Sequence, residues 1–285
     1  MAIVTQAEAF ITQGKYLRQW SAKTIRTYQQ GLATLSAAGV EELSRASLQG
    51  FVIWMQKRGL TAGGINVRLR TINSFLSWLD EEGMLTQSLR VKLLPKPSKP
   101  LSTFSDTDIK RIVTMRPVGR NQTRALTLIM CLLDTGIRIE EALTLGRARV
   151  NLDALTITVC GKANRERVVP ISLEGRKPLF KLMASHRAPY VFATGSGGRM
   201  SHRNAYRDIK RVCRDAGVEG PHVHPHNVRH YFAVTYIRNG GDIYRLSRIL
   251  GHTSLSTTQI YLRSMGLEHL QEGHARYSPL GRGLA

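Results

Sequence analysis

Four side chains in the C-terminal part of the sequence have the chemistry needed for a reaction at a phosphate group. His226 and Arg229 are three residues apart, so a helix through this segment would place both on one face. His252 follows Gly251, and Tyr261 comes nine residues after His252. A phenol oxygen can act as a nucleophile when cations and a base surround it, and imidazole and guanidinium groups can bind and protonate a phosphate. The segment therefore indicates phosphoryl transfer with a tyrosine as the nucleophile.

Two cations earlier in the chain could complete such a site. Arg138 follows an apolar helical run that ends at Gly136, and Glu141 stands three residues after this arginine. Lys162 lies in the turn of a predicted hairpin, in the sequence GKANRERVVP. The sequence offers no carboxylate cluster for Mg²⁺, so arginine, lysine and histidine would have to hold and protonate the phosphate. Each residue alone also fits an ordinary role, Arg138 and Glu141 as a surface ion pair and Lys162 as an exposed lysine.

The motifs around these residues resemble those of the tyrosine recombinases, the integrase family. Arg138 stands in TGIRIEE, which is similar to the family's TGLR motif with Ile137 in the leucine position. HNVRH, which contains His226 and Arg229, is similar to H-x-L-R-H, and ILGHTSLSTTQIY fits LGH-x-S and T-x-x-Y. The turn GKANRERVVP is similar to the family's hairpin, although Ala163 replaces a common glycine. The resemblance covers essentially the whole chain.

The resemblance implies a site-specific DNA recombinase that needs no metal and no other cofactor. Its six catalytic residues would be Arg138, Lys162, His226, Arg229, His252 and Tyr261. The two arginines would clamp the scissile phosphate, the lysine would protonate the departing 5′ oxygen, and His226 would help to remove the tyrosine proton. His252 would donate a hydrogen bond to the phosphate, while Glu141 would brace the site. Cleavage would leave a 3′-phosphotyrosine, and two rounds of strand exchange would pass through a Holliday junction.

Three other interpretations remain open from the sequence. A type IB topoisomerase uses similar groups but reseals the same strand, and a non-catalytic DNA-binding regulator could retain the same fold. A zinc module could be built on the clustered histidines, which are His222, His224, His226 and His230. Their irregular spacing and the lack of cysteine partners argue against zinc, and His230 also fits a histidine buried in the core.

Composition independently indicates a polyanionic partner. The 285 residues contain 41 Lys and Arg against 20 Asp and Glu, which gives a formal charge of +21 and a pI near 10.6. Because the basic residues are spread along the chain and do not form one block, double-stranded DNA is favoured over a membrane surface. The three cysteines form no C-x-x-C pair, and neither a signal peptide nor a membrane-spanning run is apparent, so we expect a cytoplasmic protein.

The segments that must position these residues begin with a helical region. Residues 1–94 are predicted to form a helical core-DNA-binding domain, with one helix after an N-cap at Ser21 and others around Phe51 and Ile65. Four basic residues lie off the apolar faces of these helices and are candidate DNA contacts: Lys23, Arg26, Arg68 and Arg70. Residues 95–103, which include PKPSKP, are predicted to form a stiff basic linker.

Residues 104–285 are predicted to form a mixed α/β catalytic domain. Ser105 and Asp108 are spaced as a capping box at its first helix. Alternating apolar and polar residues at 155–159 predict a strand, and a turn at 161–164 leads into a second strand at 167–171, which together predict a β-hairpin. The chain becomes mainly helical again from Ser201.

The predicted fold class is therefore mainly α with a small β-sheet or hairpin, and the resemblance implies a two-domain, C-shaped clamp around DNA. By the same resemblance, a tail at about 264–285 would dock onto a neighbouring protomer, so that a homo-tetramer holds two DNA duplexes. Accessory proteins are further candidate partners. No additional N-terminal arm-binding domain is apparent, which favours an Xer-like or transposon-resolvase-like enzyme. Dimer resolution, cointegrate resolution and integration or excision remain open as its task, and so does the recombination site.

Overall fold

The computed structural model describes residues 3–95, 103–161, 165–252, 254 and 257–259. The chain divides into two compact units, Met1–Lys99 and Pro100–Ala285. Helices predominate in both units, and the described residues contain one three-stranded antiparallel sheet. The predicted fold class, mainly α with a small sheet, is confirmed. No helix in the described part of the chain is long and apolar enough to cross a bilayer.

The first unit is built from helices whose apolar faces meet in a shared core. They are α1 (Ile3–Tyr16), α2 (Ala22–Ala37), α3 (Arg45–Lys57) and α4 (Ala62–Glu81). Ser21, Ser44 and Thr61 cap the last three helices, because each side chain accepts a hydrogen bond from a backbone N–H of the first turn. The predicted N-cap at Ser21 and the predicted helices around Phe51 and Ile65 are confirmed. Large side chains fill the core, among them Phe10, Leu35, Phe51, Leu69 and Phe75.

An extended segment after α4 is fixed to that helix by two asparagine side chains. The Asn66 amide donates to the carbonyl of Leu94 and accepts from the N–H of the same residue, both at 2.8 Å. Asn73 bonds in the same way to Val91, at 2.9 and 2.8 Å. Each side-chain amide thus donates one hydrogen bond and accepts another, as the backbone of a neighbouring β-strand would. These bonds satisfy backbone groups that lie outside regular structure.

The described part of the second unit contains seven α-helices and the three-stranded sheet. The helices are α5 (Asp106–Thr114), α6 (Gly119–Thr135), α7 (Ile139–Leu143), α8 (Leu173–Ala184), α9 (His202–Asp215), α10 (Pro225–Arg238) and α11 (Ile243–Leu250). The strands are β1 (Val150–Asn151), β2 (Thr156–Cys160) and β3 (Glu166–Pro170), in the order β1-β2-β3. The predicted capping box of Ser105 and Asp108 starts α5. The buried helix α6 packs against α8, α9 and α10, so it forms the centre of this unit.

The predicted β-hairpin is confirmed, with each strand shifted by one residue. β2 begins at Thr156 and not at Leu155, because Leu155 is left-handed (φ +53°) in the turn that follows β1. β3 spans Glu166–Pro170, one residue earlier than predicted. Ile157 and Val159 are buried, in agreement with the predicted alternation. The sequence does not reveal β1, because two residues are too few to show a period of two.

Helix α6 ends at Gly136, as the sequence predicts. The backbone of Gly136 is left-handed (φ +61°), and its N–H donates to the carbonyl of Leu132 at 3.0 Å. A Cβ at this position would lie 2.2 Å from a ring carbon of Phe232 and 2.9 Å from the side chain of Leu250. Glycine is therefore required here by conformation and again by packing, and this turn leads directly to Arg138.

We expect Gly136→Ala to lower the free energy of unfolding by about 2–4 kcal/mol, because a left-handed alanine and an overpacked core each cost at least about 1 kcal/mol. Gly217→Ala is the matched control, since Gly217 is also left-handed (φ +71°) but has no atom within 4 Å of an added Cβ. This control should cost only about 1 kcal/mol. Urea denaturation followed by circular dichroism measures both variants. Equal losses would show that Phe232 and Leu250 make room, against the packing argument.

Candidate active site

A single buried carboxylate, Glu141, gathers two arginine side chains from different elements. Arg138, at the start of α7, donates from Nη1 at 3.0 Å and from its backbone N–H at 2.7 Å. Arg167 of β3 donates through both terminal nitrogens to the two carboxylate oxygens, at 2.8 and 2.9 Å. This bidentate pairing is the strong, planar form of an arginine–carboxylate contact. The side chain of Glu141 is only 4% exposed, whereas that of Arg138 is 44% exposed.

The pKa of Glu141 lies below its usual value of 4.5 as the result of opposing effects. Burial alone raises the pKa, because a charged carboxylate is poorly solvated in the protein interior. Hydrogen bonds from Arg167 and from the backbone of Arg138, together with both positive charges, lower it by more than burial raises it. The carboxylate is therefore ionised at neutral pH and keeps both arginines in place.

Arg167 is a residue of this cluster to which the sequence alone gives no role. Besides its contact with Glu141, its Nε donates to the carbonyl of Ile249 in α11 at 2.7 Å. Gly251, just beyond α11, is left-handed (φ +64°), and a Cβ there would lie 2.9 Å from the guanidinium carbon. Arg167 thus joins β3 to α7 and α11. The only signal in the sequence is its position after the predicted turn, in the pattern Arg-x-Val-Pro.

Arg229, in α10, is buried and holds the ends of two helices together. Its Nη1 donates to the carbonyl of Gly136 and its Nη2 to the carbonyl of Leu250, both at 2.8 Å. These carbonyls lie at the C-terminal ends of α6 and α11, where the partial negative charge of a helix favours a cation. Because Gly136 precedes Arg138 by two residues, this contact holds both predicted arginines at the same end of α6.

His252 joins the cluster through both of its ring nitrogens. Nε2 lies 3.0 Å from Nη2 of Arg229, and Nδ1 lies 2.8 Å from Oγ1 of Thr258. A guanidinium group can only donate, so Nε2 is the acceptor, and in a neutral ring the proton is on Nδ1. Burial and then the charges of Arg229, Arg138 and Arg167 lower the pKa of His252 to about 4. The ring is therefore neutral at physiological pH.

His226 lies in the first turn of α10, three residues before Arg229. His226 is exposed, but the partial burial of its ring lowers its pKa. The charges of Arg229, His224 and Arg138 lower this pKa further. A neutral imidazole at this position can accept a proton at physiological pH.

The neighbouring histidines have separate structural positions. His224 caps α10, because its Nδ1 accepts from the backbone N–H of His226 at 3.1 Å. His222 lies 3.8 Å from the carboxylate of Asp108. His230 is buried, in agreement with its predicted place in the core. Among the described residues, no group of three or more His, Cys, Asp or Glu is arranged to hold a metal ion.

The structure brings together several of the residues that the sequence indicates, namely Arg138, Glu141, His226, Arg229 and His252. The predicted residues Lys162 and Tyr261 lie outside the described part of the chain. Residues close to them in sequence lie near the cluster. A Cβ at Gly161 would lie 3.6 Å from the Glu141 carboxylate, and Thr258, three residues before Tyr261, contacts the His252 ring.

The four predicted DNA contacts of the first unit lie on α2 and α4, and they differ in exposure. Lys23, Arg26 and Arg70 are exposed. Arg68 is half-buried and donates to the Oγ1 of Thr34 at 3.3 Å and to a backbone carbonyl of α4 at 3.1 Å. Arg68 therefore has a structural contact that joins the two helices.

We expect Glu141→Gln to lower the free energy of unfolding at neutral pH by about 3 kcal/mol, because it removes the buried counter-charge of two arginines. Glu140→Gln is the matched control. Glu140 is exposed, and its pair with Arg199 at 3.1 Å should contribute less than about 1 kcal/mol. Chemical denaturation measures both variants.

The same comparison at low pH tests the ionisation of Glu141. Because its pKa is lower in the folded than in the unfolded state, its stabilising effect is present above 4.5 and is lost as the pH falls below that value. The difference in stability between the wild type and Glu141→Gln should therefore shrink on acidification. A difference that stays constant down to a pH of about 3 would contradict the ion cluster.

Comparison with known proteins covers both units. Residues 103–266 match the phage integrase family, and residues 8–83 match the N-terminal SAM-like domain of phage integrases. The tyrosine recombinase XerC of Xylella fastidiosa (strain 9a5c) is 33% identical over 260 residues, which cover 86% of this chain and 87% of that protein. XerC of Xanthomonas campestris pv. campestris (strain B100) is 31% identical over 287 residues, with coverage of 94% and 87%.

Solved structures share the fold. The Tn1549 transposon integrase in complex with transposon right end DNA has a TM-score of 0.82 at 15% identity, covering 97% of this chain and 99% of its own. A lambda integrase dimer bound to a core site has a TM-score of 0.75 at 15% identity, with coverage of 94% and 97%. These low identities establish the fold alone. The family match over more than half of the residues, together with the two XerC relatives, shows that this chain belongs to the phage integrase family, the tyrosine recombinases.

Proposed function

We propose that the protein is a site-specific DNA recombinase that cleaves and rejoins strands through a 3′-phosphotyrosine intermediate. The observation that carries the proposal is a set of three fixed guanidinium groups, those of Arg138 and Arg167 on the carboxylate of Glu141 and that of Arg229 beside His252. Fixed positive groups of this kind bind a phosphodiester and stabilise the charge that develops on its oxygens in the transition state.

In this mechanism the oxygen of Tyr261 attacks the scissile phosphorus, and the bond to the 5′ oxygen breaks. His226 takes the phenol proton, and Lys162 protonates the departing 5′ oxygen. Arg138 and Arg229 hold the non-bridging oxygens. The phosphotyrosine retains the energy of the phosphodiester, so the 5′ hydroxyl of a partner strand can attack it without ATP. Two rounds, connected by a Holliday junction, recombine the two duplexes.

The geometry supports different tasks for the two arginines that hold the phosphate. Arg138 is braced by Glu141 and is 44% exposed, so it can meet a phosphate at the protein surface. Arg229 is buried and anchored by two helix-end carbonyls, so its direction is set before DNA arrives. His252 lies beside Arg229 and would add a hydrogen bond to the same phosphate.

Recombination is favoured over the alternative functions. The two relatives at 31–33% identity are recombinases and not topoisomerases, and both are XerC proteins, which favours an Xer-like member. The retained cluster of Arg138, Glu141, Arg229 and His252 argues against a regulator without catalytic activity. Relaxation of supercoiled DNA without any site preference would instead support a topoisomerase.

In the first unit, a cleft with three cations is suited to the DNA backbone. Arg70 of α4 lines it together with Arg90 and Lys92 of the extended segment that Asn73 clamps. In the sequence, Arg90 and Lys92 alternate with Val91. Because Val91 is buried, this alternation directs both basic side chains to the surface. We propose that this cleft contacts phosphates in addition to the contacts expected from Lys23 and Arg26.

In the second unit, α9 presents a basic concave surface beside an aromatic ring. Five cations line this surface together with Tyr206: Arg203, Arg207, Lys210, Arg211 and Arg214. The Lys210 ammonium lies 5.0 Å from the centre of the Tyr206 ring. Such a density of positive charge fits phosphate contacts, which give affinity and orientation more than base specificity. We propose it as the DNA-binding face of this unit.

The domain roles and the assembly follow from the same proposal. Residues 1–94 would bind the core of the recombination site, residues 95–103 would act as a linker, and residues 104–285 would catalyse strand exchange. The separate family matches over 8–83 and 103–266 support this division. We propose a cytoplasmic homo-tetramer on two duplexes, with protomer contacts from the tail at about 264–285 and with accessory proteins as further partners.

Tyr261→Phe should bind DNA but form no covalent complex, because phenylalanine has no oxygen to attack the phosphorus. Host DNA fragments with random nicks serve as the trap, since a nick near the cleavage position releases the 5′ end and leaves the protein attached. DNA that remains on the denatured wild-type protein is sequenced to identify the site. A duplex of that sequence should then give a protein–DNA band on a denaturing gel for the wild type and none for Tyr261→Phe.

Tyr244→Phe is the matched control for this experiment, because Tyr244 lies on α11 and is 58% exposed. This variant should become attached like the wild type. Attachment of Tyr261→Phe would remove this tyrosine from its proposed role. Failure of the wild type to become attached to any fragment would overturn the proposed recombinase.

Replacing Arg70, Arg90 and Lys92 together by alanine should weaken binding to DNA of any sequence and make binding less sensitive to salt. Each lost phosphate contact should reduce the slope of log affinity against log salt by about 1, because fewer counterions are released. A charge-matched control replaces three exposed cations outside this cleft, namely Lys15, Arg18 and Lys57. Fluorescence anisotropy over a range of salt concentrations gives both slopes. Identical slopes for the two triple variants would contradict a phosphate-binding cleft.

A further inference from the structure

The hydroxyl of Thr258 contacts the ring of His252 but has no part in the mechanism above. Thr258 is completely buried, and its Oγ1 lies 2.8 Å from Nδ1 of the histidine. It belongs to the helical residues 257–259 and precedes Tyr261 by three positions in the sequence. A buried hydroxyl needs a hydrogen-bond partner. The partner of the Thr258 hydroxyl is the His252 ring, which is expected to bind the phosphate.

The present hydrogen bonds of His252 are not those that a phosphate would require. Nε2 accepts from Arg229, and the proton on Nδ1 is donated to Thr258. An entering phosphate would compete for Arg229, because hydrogen bonds between charged groups are the stronger ones. The lone pair of Nε2 would then face an anionic oxygen and be repelled. Nε2 must therefore carry a proton once the phosphate is bound.

A second proton on the ring is opposed by its surroundings. The guanidinium groups of Arg229, Arg138 and Arg167 and the imidazole of His226 all act on His252, and burial adds to their effect. The exchange of one neutral tautomer for the other needs no added positive charge among these cations. That exchange needs a partner at Nδ1 that can both accept and donate. A hydroxyl group does both by rotation, whereas a carbonyl oxygen can only accept and an ammonium group can only donate.

We propose that Thr258 is a positioning residue that allows His252 to change tautomer when the scissile phosphate binds. Without DNA, the Nδ1–H donates to Oγ1 of Thr258. With the phosphate bound, the Thr258 hydroxyl donates to Nδ1, and the Nε2–H donates to a phosphate oxygen. One proton leaves Nδ1 to solvent and one enters at Nε2 from solvent, so the ring stays neutral and takes up no net proton. This inference rests on the proposed function and adds a residue outside the six catalytic positions.

Nitrogen-15 NMR of the histidine rings tests the exchange directly, because protonated and unprotonated ring nitrogens have separate chemical shifts. The protein carries Tyr261→Phe so that the DNA stays intact, and His252→Gln identifies the signals of His252. The DNA is the duplex recovered by covalent trapping. We expect the proton on Nδ1 without DNA and on Nε2 with DNA. A proton that stays on Nδ1, or a doubly protonated ring with DNA bound, would overturn the proposal.

Cleavage rates of Thr258 variants give an independent readout. Thr258→Val keeps the shape of the side chain but removes the hydroxyl, and it should slow covalent attachment about 10- to 100-fold because Nδ1 loses its partner. Thr258→Ser retains the hydroxyl and should restore most of the wild-type rate. Thr257→Val makes the same change at the exposed neighbouring position and should leave the rate unaltered.

The outcomes separate this inference from the proposed function. If Thr258→Ser is as slow as Thr258→Val, or if Thr258→Val cleaves at the wild-type rate, the hydroxyl does not act through His252. The inference then fails, while the recombinase assignment stands. If the wild type forms no covalent complex, the proposed function itself fails. Circular dichroism checks the fold of each variant, and the NMR experiment decides alone if Thr258→Val does not fold.

Discussion

The buried carboxylate of Glu141 makes it possible to hold several positive groups close together in one site. Guanidinium groups at close range repel one another, and this repulsion is strong where water is partly excluded. Glu141 offsets part of it by pairing with Arg138 and with Arg167. Arg229 adds a third guanidinium group to the site, anchored by the carbonyls of Gly136 and Leu250. Guanidinium groups held in fixed positions are suited to bind the non-bridging oxygens of a phosphodiester.

The fold and the site share the same contacts. Arg229 satisfies the carbonyls at the ends of α6 and α11, and Arg167 ties β3 to α11. Each arginine therefore stabilises the packing of helices that are distant in sequence while it contributes charge to the site. Tertiary packing sets the geometry of the site in this unit, so a substitution that weakens the packing would also disturb the site. Glu141 belongs to both, because its carboxylate accepts from the start of α7 and from the hairpin.

Features that depend on near neighbours in the chain could be predicted from the sequence. The cap at Ser21, the end of α6 at Gly136 and the β-hairpin each follow from local residue types and spacing. Arg167 could not be singled out in this way, because its contacts with Glu141 and Ile249 form only after distant elements have folded. Thr258 lies within the T-x-x-Y motif, but its contact with the His252 ring depends on a turn of the chain that the motif does not specify.

The electrostatic environment of a side chain also cannot be predicted from the sequence. The motif around His252 predicts a donor to phosphate, whereas the geometry shows Nε2 as an acceptor from Arg229. That difference arises from the arginines that surround the ring, which come from three other elements. Residue identity thus predicted that Arg138 would lie with Glu141 and Arg229 with His252, but it did not predict their protonation or the direction of their hydrogen bonds.

Gly251 shows that two adjacent residues can be fixed by unrelated requirements. The space that its side chain would occupy is filled by the guanidinium of Arg167, so the glycine is required by the hairpin as well as by its own left-handed backbone, and not by the histidine beside it. Any larger residue would push Arg167 away from Glu141 without touching a reacting atom. A substitution of Gly251 would therefore reduce activity as the removal of a catalytic group does, although the cause would be steric.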